Sequence, residues 1–200
     1  MRGRLLLIIV GGFLIGAIAG AAVLVLTGSF SGPSVATSGK ALIGGPFTLV
    51  DQHGKTVTDR DFRGRFMLIF FGFTHCPDIC PAELQVMSAS LDALGAEGAE
   101  VVPIFVTLDP ERDTPAVMGD YVKNFGSRFV GLTGSPDGIA AAAKAYRIAY
   151  SKFQEDPAKS DYSIDHSALV YLMGKDGEYV THFAYGTPTA KMTATLRRYL

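Results

Sequence analysis

Hydrophobic positions form one long run near the N-terminus and several shorter runs after residue 40. The long run, Leu5 to Leu26, holds 22 residues without a charged or strongly polar side chain. A helix of that length rises about 33 Å, which is enough to cross a bilayer. A cleaved signal peptide has an apolar core of only about 7–15 residues, so the run predicts an uncleaved transmembrane signal anchor. Cleavage near Ala17–Ala19 and a buried soluble helix are the weaker alternatives.

The residues around this run predict its orientation. Residues 1–4 form a basic tip with Arg2 and Arg4, which favours a cytoplasmic N-terminus and a domain outside the cytoplasm. Residues 27–40 are rich in Ser, Gly, Thr and Ala and are typical of a flexible linker. We therefore expect the folded domain to span residues 41–200. Small residues at every fourth position of the anchor allow a homodimer through close helix packing: Gly12, Gly16 and Gly20.

Within the domain, two continuous apolar runs predict strands buried on both faces. They are Met67–Phe73 and Val101–Leu108. Shorter strands are expected at Phe129–Leu132 and Ile148–Phe153. Two hairpins are predicted around turn residues: one joins residues 47–50 to 56–58, and the other joins residues 166–173 to 178–185. A polar loop is predicted over residues 154–163.

Helix starts are marked by prolines. A helix is predicted over Pro81–Leu94, with Cys80 as its cap and Glu83 in the place of a capping-box acid. A capping hydroxyl before a proline starts three more helices, at Thr114-Pro115, Ser135-Pro136 and Thr187-Pro188. The resulting order predicts an α/β sandwich with a mixed sheet, the thioredoxin-like arrangement.

Composition and charge narrow the possible functions. The chain is 48% hydrophobic with 13 Phe and 8 Tyr, which excludes intrinsic disorder. Residues 40–200 carry 16 basic and 19 acidic side chains, so their net charge of 16 − 19 = −3 argues against nucleic-acid binding. Only two cysteines are present, which excludes a disulfide-framework protein.

Both cysteines lie in one pentapeptide, Cys76-Pro-Asp-Ile-Cys80. Their sulfurs can reach one metal ion or each other, and the start of the following helix favours the thiolate. A domain outside the cytoplasm is in an oxidising compartment, where such a pair forms a disulfide or holds a metal. A purely structural disulfide is disfavoured, because so short a loop restricts the unfolded chain little.

A metal site would need a third ligand. Of the four histidines, His166 is the best placed, because it is predicted to open a strand at the edge of the sheet. His75 is expected to tune the thiol or face solvent, and solvated or structural roles are favoured for His53 and His182. Two thiolates and an imidazole suit copper or zinc, and the lack of a fourth ligand favours copper. The charged stretch at residues 109–115 either leads into a helix and forms a turn, or shapes the rim of the site or a docking surface.

The sequence from Phe71 to Pro81, Phe-Gly-Phe-Thr-His-Cys-Pro-Asp-Ile-Cys-Pro, resembles the signature of the Sco/SenC family of membrane-anchored copper chaperones. The resemblance extends over residues 42–200. It includes three further stretches: Asp109–Thr114, Val130–Gly134, and Asp165-His166 followed by Tyr171–Gly177.

This resemblance implies a thioredoxin-like fold with copper held by Cys76, Cys80 and His166. It implies delivery of copper to the binuclear copper centre of cytochrome c oxidase subunit II, with an unidentified upstream copper donor. The alternative is a thiol–disulfide reductase that uses Cys76 and Cys80 on the cysteines of that centre, although a chaperone is favoured over an enzyme. A peroxiredoxin-type peroxidase is weaker, because Phe73 stands where that family has a threonine.

The predicted anchor also indicates the membrane and the compartment in which the protein is expected. It starts at residue 5 without an upstream transit-type segment, so the expectation is a bacterial inner membrane, crossed once, with the domain facing the periplasm.

Overall fold

The structure is a computed structural model that describes residues 42–154 and 162–200. These residues belong to one compact unit, Ala41–Leu200. The predicted anchor with its three glycines, the linker and most of the polar loop lie outside the described residues. Within the described ranges no helix has the length and apolar character needed to span a bilayer.

In those ranges the chain forms nine strands and four α-helices. The strands are β1 (Thr48–Asp51), β2 (Thr56–Thr58), β3 (Phe66–Gly72), β4 (Val101–Thr107), β5 (Val130–Thr133), β6 (Tyr150–Phe153), β7 (Ser163–His166), β8 (Leu169–Met173) and β9 (Tyr179–Ala184). The helices are α1 (Ile79–Ala93), α2 (Pro115–Val122), α3 (Pro136–Ala145) and α4 (Thr189–Arg197). Short 3-10 turns occupy Asp59–Phe62, Gly95–Glu100 and Lys123–Phe125.

Seven strands form the main sheet in the order β2-β1-β5-β4-β3-β8-β9. β3, β4 and β5 are parallel, and the outer pairings are antiparallel. β6 and β7 pair with each other in a separate two-stranded sheet. The predicted α/β fold with a mixed sheet is therefore confirmed.

The two central strands place the chemistry at one edge of this sheet. β3 and β4 are buried along their whole length, as their apolar runs predict. Because they are parallel, with Gly72 opposite Thr107, the loops that follow them leave the sheet together. β8 runs antiparallel to β3, with Val170 opposite Phe70, so the segment that precedes β8 reaches the same edge.

The first long helix differs from the prediction in its starting point. Its N-cap is Asp78 and its first residue is Ile79, so Cys80 lies inside the first turn and is not the cap. Glu83 is consequently not in a capping box; it is buried. The physical reason is that Pro81 falls in the first turn, where backbone N–H groups have no intrahelical acceptor, so proline there does not mark the boundary.

Two of the three predicted hydroxyl caps are confirmed. The Thr114 side chain accepts a hydrogen bond from the Val117 amide at 3.4 Å, and Ser135 accepts one from Gly138 at 3.1 Å. The third is wrong by one residue, because Pro188 is the cap of α4. The Thr187 hydroxyl instead donates to the Ala184 carbonyl at 2.7 Å, which closes the turn after β9.

The segment around His166 also differs from the prediction. His166 ends β7, and the next strand begins at Leu169, so His166 does not open a strand. The predicted strand 148–153 shortens to β6, which is exposed and pairs only with β7. At residues 167–168 the chain passes from the small sheet to the main one, and the Ser167 amide donates to the Ala149 carbonyl at 2.9 Å.

Candidate metal centre

The two cysteines lie where the chain leaves β3 and enters α1. The loop at residues 73–78, which we call the cysteine loop, turns at once, since the Cys76 amide donates to the Phe73 carbonyl at 3.2 Å. Cys76 is half-buried, whereas Cys80 in the first turn of α1 is fully buried. Both are free thiols. The sequence therefore placed the pair correctly, in a strand–loop–helix unit at the edge of the sheet.

His166 reaches the same place from the other side. It lies at the end of the histidine hairpin, our name for β6 and β7 together. Its Nδ1 is 3.2 Å from the Ser167 carbonyl, which can only accept a hydrogen bond, so Nδ1 carries the proton in the neutral ring. Its Nε2 is thereby left as a ligand atom, and it lies 3.7 Å from Cys80 Sγ.

Two phenylalanines support the imidazole. The rings of Phe70 and Phe73 meet the His166 ring edge-on, with centroids 6.0 and 6.1 Å away. Such edge-to-face packing restricts the orientation of a ring as well as burying it. The imidazole is therefore held against the end of β3 with its Nε2 toward the sulfur of Cys80.

The two sulfurs differ strongly in acidity. A hydrogen bond from the Cys80 thiol, with further backbone N–H groups of residues 78–80, lowers the pKa of Cys76 to about 5. The same interaction, together with burial, raises the pKa of Cys80. At neutral pH the site therefore presents one thiolate, at the more accessible cysteine, beside a buried thiol.

Gly72 makes room for the buried thiol. A Cβ atom at this position would lie 2.6 Å from Cys80 Sγ and 2.9 Å from the Phe105 ring. Real side chains do not approach so closely, so only glycine lets the helix start pack directly on β3. Nothing in the sequence around Gly72 reveals this close approach, which depends on the packing of the helix on the strand.

The cysteine loop is also tied to residues 109–113, which we call the anchoring turn. Asp113 is fully buried and accepts hydrogen bonds from the Thr74 amide at 3.0 Å, the Thr74 hydroxyl at 2.5 Å and the Thr107 hydroxyl at 2.5 Å. Three donors satisfy a carboxylate that would otherwise be costly to bury. The charged stretch at residues 109–115 therefore helps to shape the site, and it also leads into α2.

A second buried carboxylate in the anchoring turn was missed by sequence reasoning. Asp109 is fully buried, pairs with Arg112 and accepts a 2.6 Å hydrogen bond from the Tyr162 hydroxyl. The Arg112 guanidinium lies over the Tyr162 ring, 3.8 Å from its centroid. The only signal in the sequence is a tyrosine at the end of a polar loop, which does not reveal its partner.

The remaining histidines face elsewhere. The His75 ring is 51% exposed, with Nδ1 3.2 Å from the Thr74 hydroxyl and 3.8 Å from Asp113. His53 is exposed in the turn after β1. His182 is exposed on β9, with Nδ1 2.6 Å from the Tyr179 hydroxyl. Of the four histidines, His166 is the one placed beside a cysteine sulfur.

Two of the three predicted ligands, Cys76 and His166, line one cleft, whereas Cys80 is fully buried next to His166. A cleft of about 510 Å³ is lined by Cys76, His166 and apolar side chains that include Ile79 and Phe153. As placed, no three His, Cys, Asp or Glu side chains in residues 42–154 and 162–200 form a ready metal-coordinating cluster. Cys76, Cys80 and His166 would therefore have to draw closer together around a bound ion.

The chain resembles known proteins over most of its length. The SCO1/SenC family model matches residues 35–200. Protein sco1 of Schizosaccharomyces pombe is 44% identical over 167 residues, which cover 82% of this chain and 64% of that protein. The chain thus spans slightly less than two thirds of the length of this curated relative.

Solved structures that resemble this chain also include Sco proteins. Bradyrhizobium japonicum ScoI with copper bound is 46% identical, with a TM-score of 0.73 over 79% of this chain and 99% of that one. BsSco, described as a Sco-family cytochrome c oxidase assembly protein with a disulfide switch, is 26% identical, with a TM-score of 0.61 over 79% of this chain and 93% of that one. Because the SCO1/SenC family model covers the whole folded domain, the chain belongs to the SCO1/SenC family.

Proposed function

We propose that this domain binds one copper ion through Cys76, Cys80 and His166 and acts as a copper chaperone in cytochrome c oxidase assembly. The observation that carries the proposal is the 3.7 Å separation of Cys80 Sγ and His166 Nε2, beside the Cys76 thiolate. Two thiolates and one imidazole are a soft donor set, which suits copper. Similarity to a copper-bound ScoI and to an oxidase assembly protein supports the assignment.

The geometry fits an ion of low coordination number. With bonds of about 2.3 Å to sulfur and 2.0 Å to nitrogen, the lengths found in zinc sites, a 3.7 Å separation subtends roughly 120° at the ion. That is the angle of a trigonal site, in which Cys76 would supply the third bond. An open trigonal site lets an incoming ligand attack the ion, so copper can pass by ligand exchange. We propose the binuclear copper centre of oxidase subunit II as the recipient and an unidentified protein as the donor.

Copper titration tests the metal site. Anaerobic titration of the reduced full chain with Cu(I), against a competing chelator, should give one tightly bound ion. His166→Ala should weaken binding at least about 100-fold, because even the loss of a residue that only orients a ligand costs about 10–100-fold. The matched control is His182→Ala, which removes an exposed imidazole on β9 and should leave binding unchanged. Equal binding by the two variants would contradict the ligand assignment.

A second function is favoured by one further observation. An accessible thiolate with a pKa of about 5 beside a buried thiol is the arrangement of a thiol–disulfide reductase. In this reading Cys76 attacks a disulfide of the client, and Cys80 then attacks the mixed disulfide and releases the client dithiol, so the domain is oxidised as the client is reduced. His166→Ala should spare that reaction while it abolishes tight copper binding, so the variant separates the two functions.

We also propose a location. The basic tip and the apolar run Leu5–Leu26 support a single-pass inner-membrane anchor with the domain in the periplasm. Alkaline phosphatase fused after Leu200 should be active in bacteria, and the fusion should sediment with membranes. An inactive phosphatase fusion would contradict this orientation.

A further inference from the structure

We propose that the anchoring turn positions both halves of the metal site, and that Tyr162 is the positioning residue that holds His166 near the cysteines. The inference rests on the proposed copper function and adds to it a device that sets the distance between the ligands. It follows from two buried carboxylates, Asp109 and Asp113, that face different halves of the site.

Asp113 holds the cysteine half. Its carboxylate bonds both the amide and the hydroxyl of Thr74, two residues before Cys76. The same carboxylate accepts from Thr107 at the end of β4, so it is itself fixed to the central sheet. The cysteine loop is therefore held on rigid sheet structure, as a preorganised ligand requires.

Asp109 holds the histidine half. It accepts the 2.6 Å hydrogen bond from the hydroxyl of Tyr162, the residue immediately before β7. Asp109 is fixed in turn, because its own amide donates to the Thr107 hydroxyl at 2.8 Å and its carboxylate pairs with Arg112. The Thr107 hydroxyl therefore bonds the Asp113 carboxylate and the Asp109 amide, and so links the two anchors.

The ring of Tyr162 is also fixed in place, in addition to its hydroxyl. The Arg112 guanidinium lies 3.8 Å from the ring centroid and the Lys152 ammonium 4.7 Å from it. Lys152, on β6, also forms a 2.8 Å ion pair with Glu111 of the anchoring turn. Both strands of the histidine hairpin are thus tied to one turn, by contacts that involve two cation–π interactions.

The hairpin depends on these ties. A two-stranded sheet alone is marginally stable in water, and every residue of β6 is exposed. Tyr162 immediately precedes β7 and His166 ends it, so the tyrosine fixes the start of the strand that carries the ligand. Loss of the hydroxyl should let the hairpin move away from α1 and lengthen the distance from His166 Nε2 to Cys80 Sγ.

The test is a double-mutant cycle in copper affinity. Tyr162→Phe should weaken Cu(I) binding by the full chain about tenfold, at the lower end of effects seen for residues that orient a ligand. In a His166→Ala background the same change should have no further effect, because Tyr162 acts through His166. An equal loss in both backgrounds would overturn the proposal, since it would show a general loss of structure.

A spectroscopic readout follows the ligand itself. In the Cu(II) complex, imidazole nitrogen coupling in electron paramagnetic resonance should weaken in Tyr162→Phe. The control is Tyr150→Phe, the same change on the opposite strand of the hairpin, at an exposed tyrosine whose hydroxyl has no hydrogen bond among the described residues. An undiminished nitrogen signal in Tyr162→Phe would contradict the proposal.

Hydrogen exchange without metal separates this proposal from the copper function. In the metal-free full chain, Tyr162→Phe should speed exchange of the β6–β7 amides and leave the amides of the cysteine loop unchanged, whereas Tyr150→Phe should change neither. If the wild type binds no copper but the hairpin loosens as expected, the copper function fails and the positioning role stands. Unchanged hairpin protection would overturn the positioning role, whatever the copper affinity.

Discussion

Cys80 Sγ lies 3.7 Å from His166 Nε2, although 86 positions separate the two residues along the chain. The contact arises where the parallel strands β3 and β4 end and the antiparallel strand β8 begins, because all three termini share one edge of the sheet. The helix start brings the sulfur to this edge, and the hairpin brings the imidazole.

Gly72→Ala should disturb the packing of Cys80 against β3. The new methyl group would meet Cys80 Sγ at 2.6 Å and displace it, with an expected loss of about 1–3 kcal/mol in unfolding free energy and weaker copper binding. Gly119→Ala is the matched control, because its Cβ would be 3.5 Å from Gln52, an ordinary contact, within α2. That variant should be as stable as the wild type or more so, since alanine favours the helix. Urea denaturation and copper titration of both variants check this.

Cys76 should react with iodoacetamide at unusually low pH. Because the thiolate is the nucleophile and its pKa is about 5, the rate should rise through about pH 5 and level off by about pH 7. Cys80 is buried with a raised pKa and should not react in the folded protein. Peptide mapping by mass spectrometry at a series of pH values measures both rates.

Cys80→Ala provides the control for that profile. It removes the thiol that donates to Cys76, the largest cause of the lowered pKa, so the reaction profile of Cys76 should move to higher pH. A profile that stays at about pH 5 would mean that backbone N–H groups alone hold the thiolate.

Glu83→Gln should stabilise the protein at neutral pH. Glu83 is 1% exposed, its Oε1 has no hydrogen-bond partner in the described part of the chain, and burial raises its pKa. The folded pKa exceeds the unfolded value of about 4.3, so stability is lost as pH rises past that value. The variant should gain about 1 kcal/mol at pH 7 and match the wild type near pH 4.

The pH dependence distinguishes this effect from a general change of surface charge. Glu97→Gln neutralises a carboxylate that is 55% exposed beside Arg197, and it should shift stability by less than about 0.5 kcal/mol at either pH. If Glu83→Gln were destabilising at pH 7, the buried carboxyl would have to be ionised and paired.

Asp113→Asn should weaken the fold and the site together. The amide keeps one acceptor oxygen and turns a donor toward groups that themselves donate, from Thr74 and Thr107. We expect a loss of about 2–4 kcal/mol, because these are hydrogen bonds to a buried charge. Asp120→Asn is the control, since that side chain is 78% exposed beside Lys123 and should contribute little. Equal stability of the two variants would show that Asp113 does not brace the cysteine loop.

Much of the fold was predictable because its signals are local. Continuous apolar runs identified β3 and β4, and a hydroxyl before a proline identified the starts of α2 and α3. The start of α1 was placed two residues too late, since the first turn of a helix tolerates a proline and so hides its own boundary. The β6–β7 hairpin was missed because its pairing joins segments on either side of a polar loop, and no periodicity in either segment shows the partner.

By itself, the sequence determined the fold class, the cysteine pair after a buried strand, and His166 as the favoured third ligand. Those features depend on residue type and on spacing along a few turns of chain. Only the tertiary structure decided that Gly72 admits Cys80, that Glu83 is buried, and that Asp109 meets Tyr162. These are contacts between side chains or backbone brought together by strand order and register, and such proximity has no signature at either residue alone.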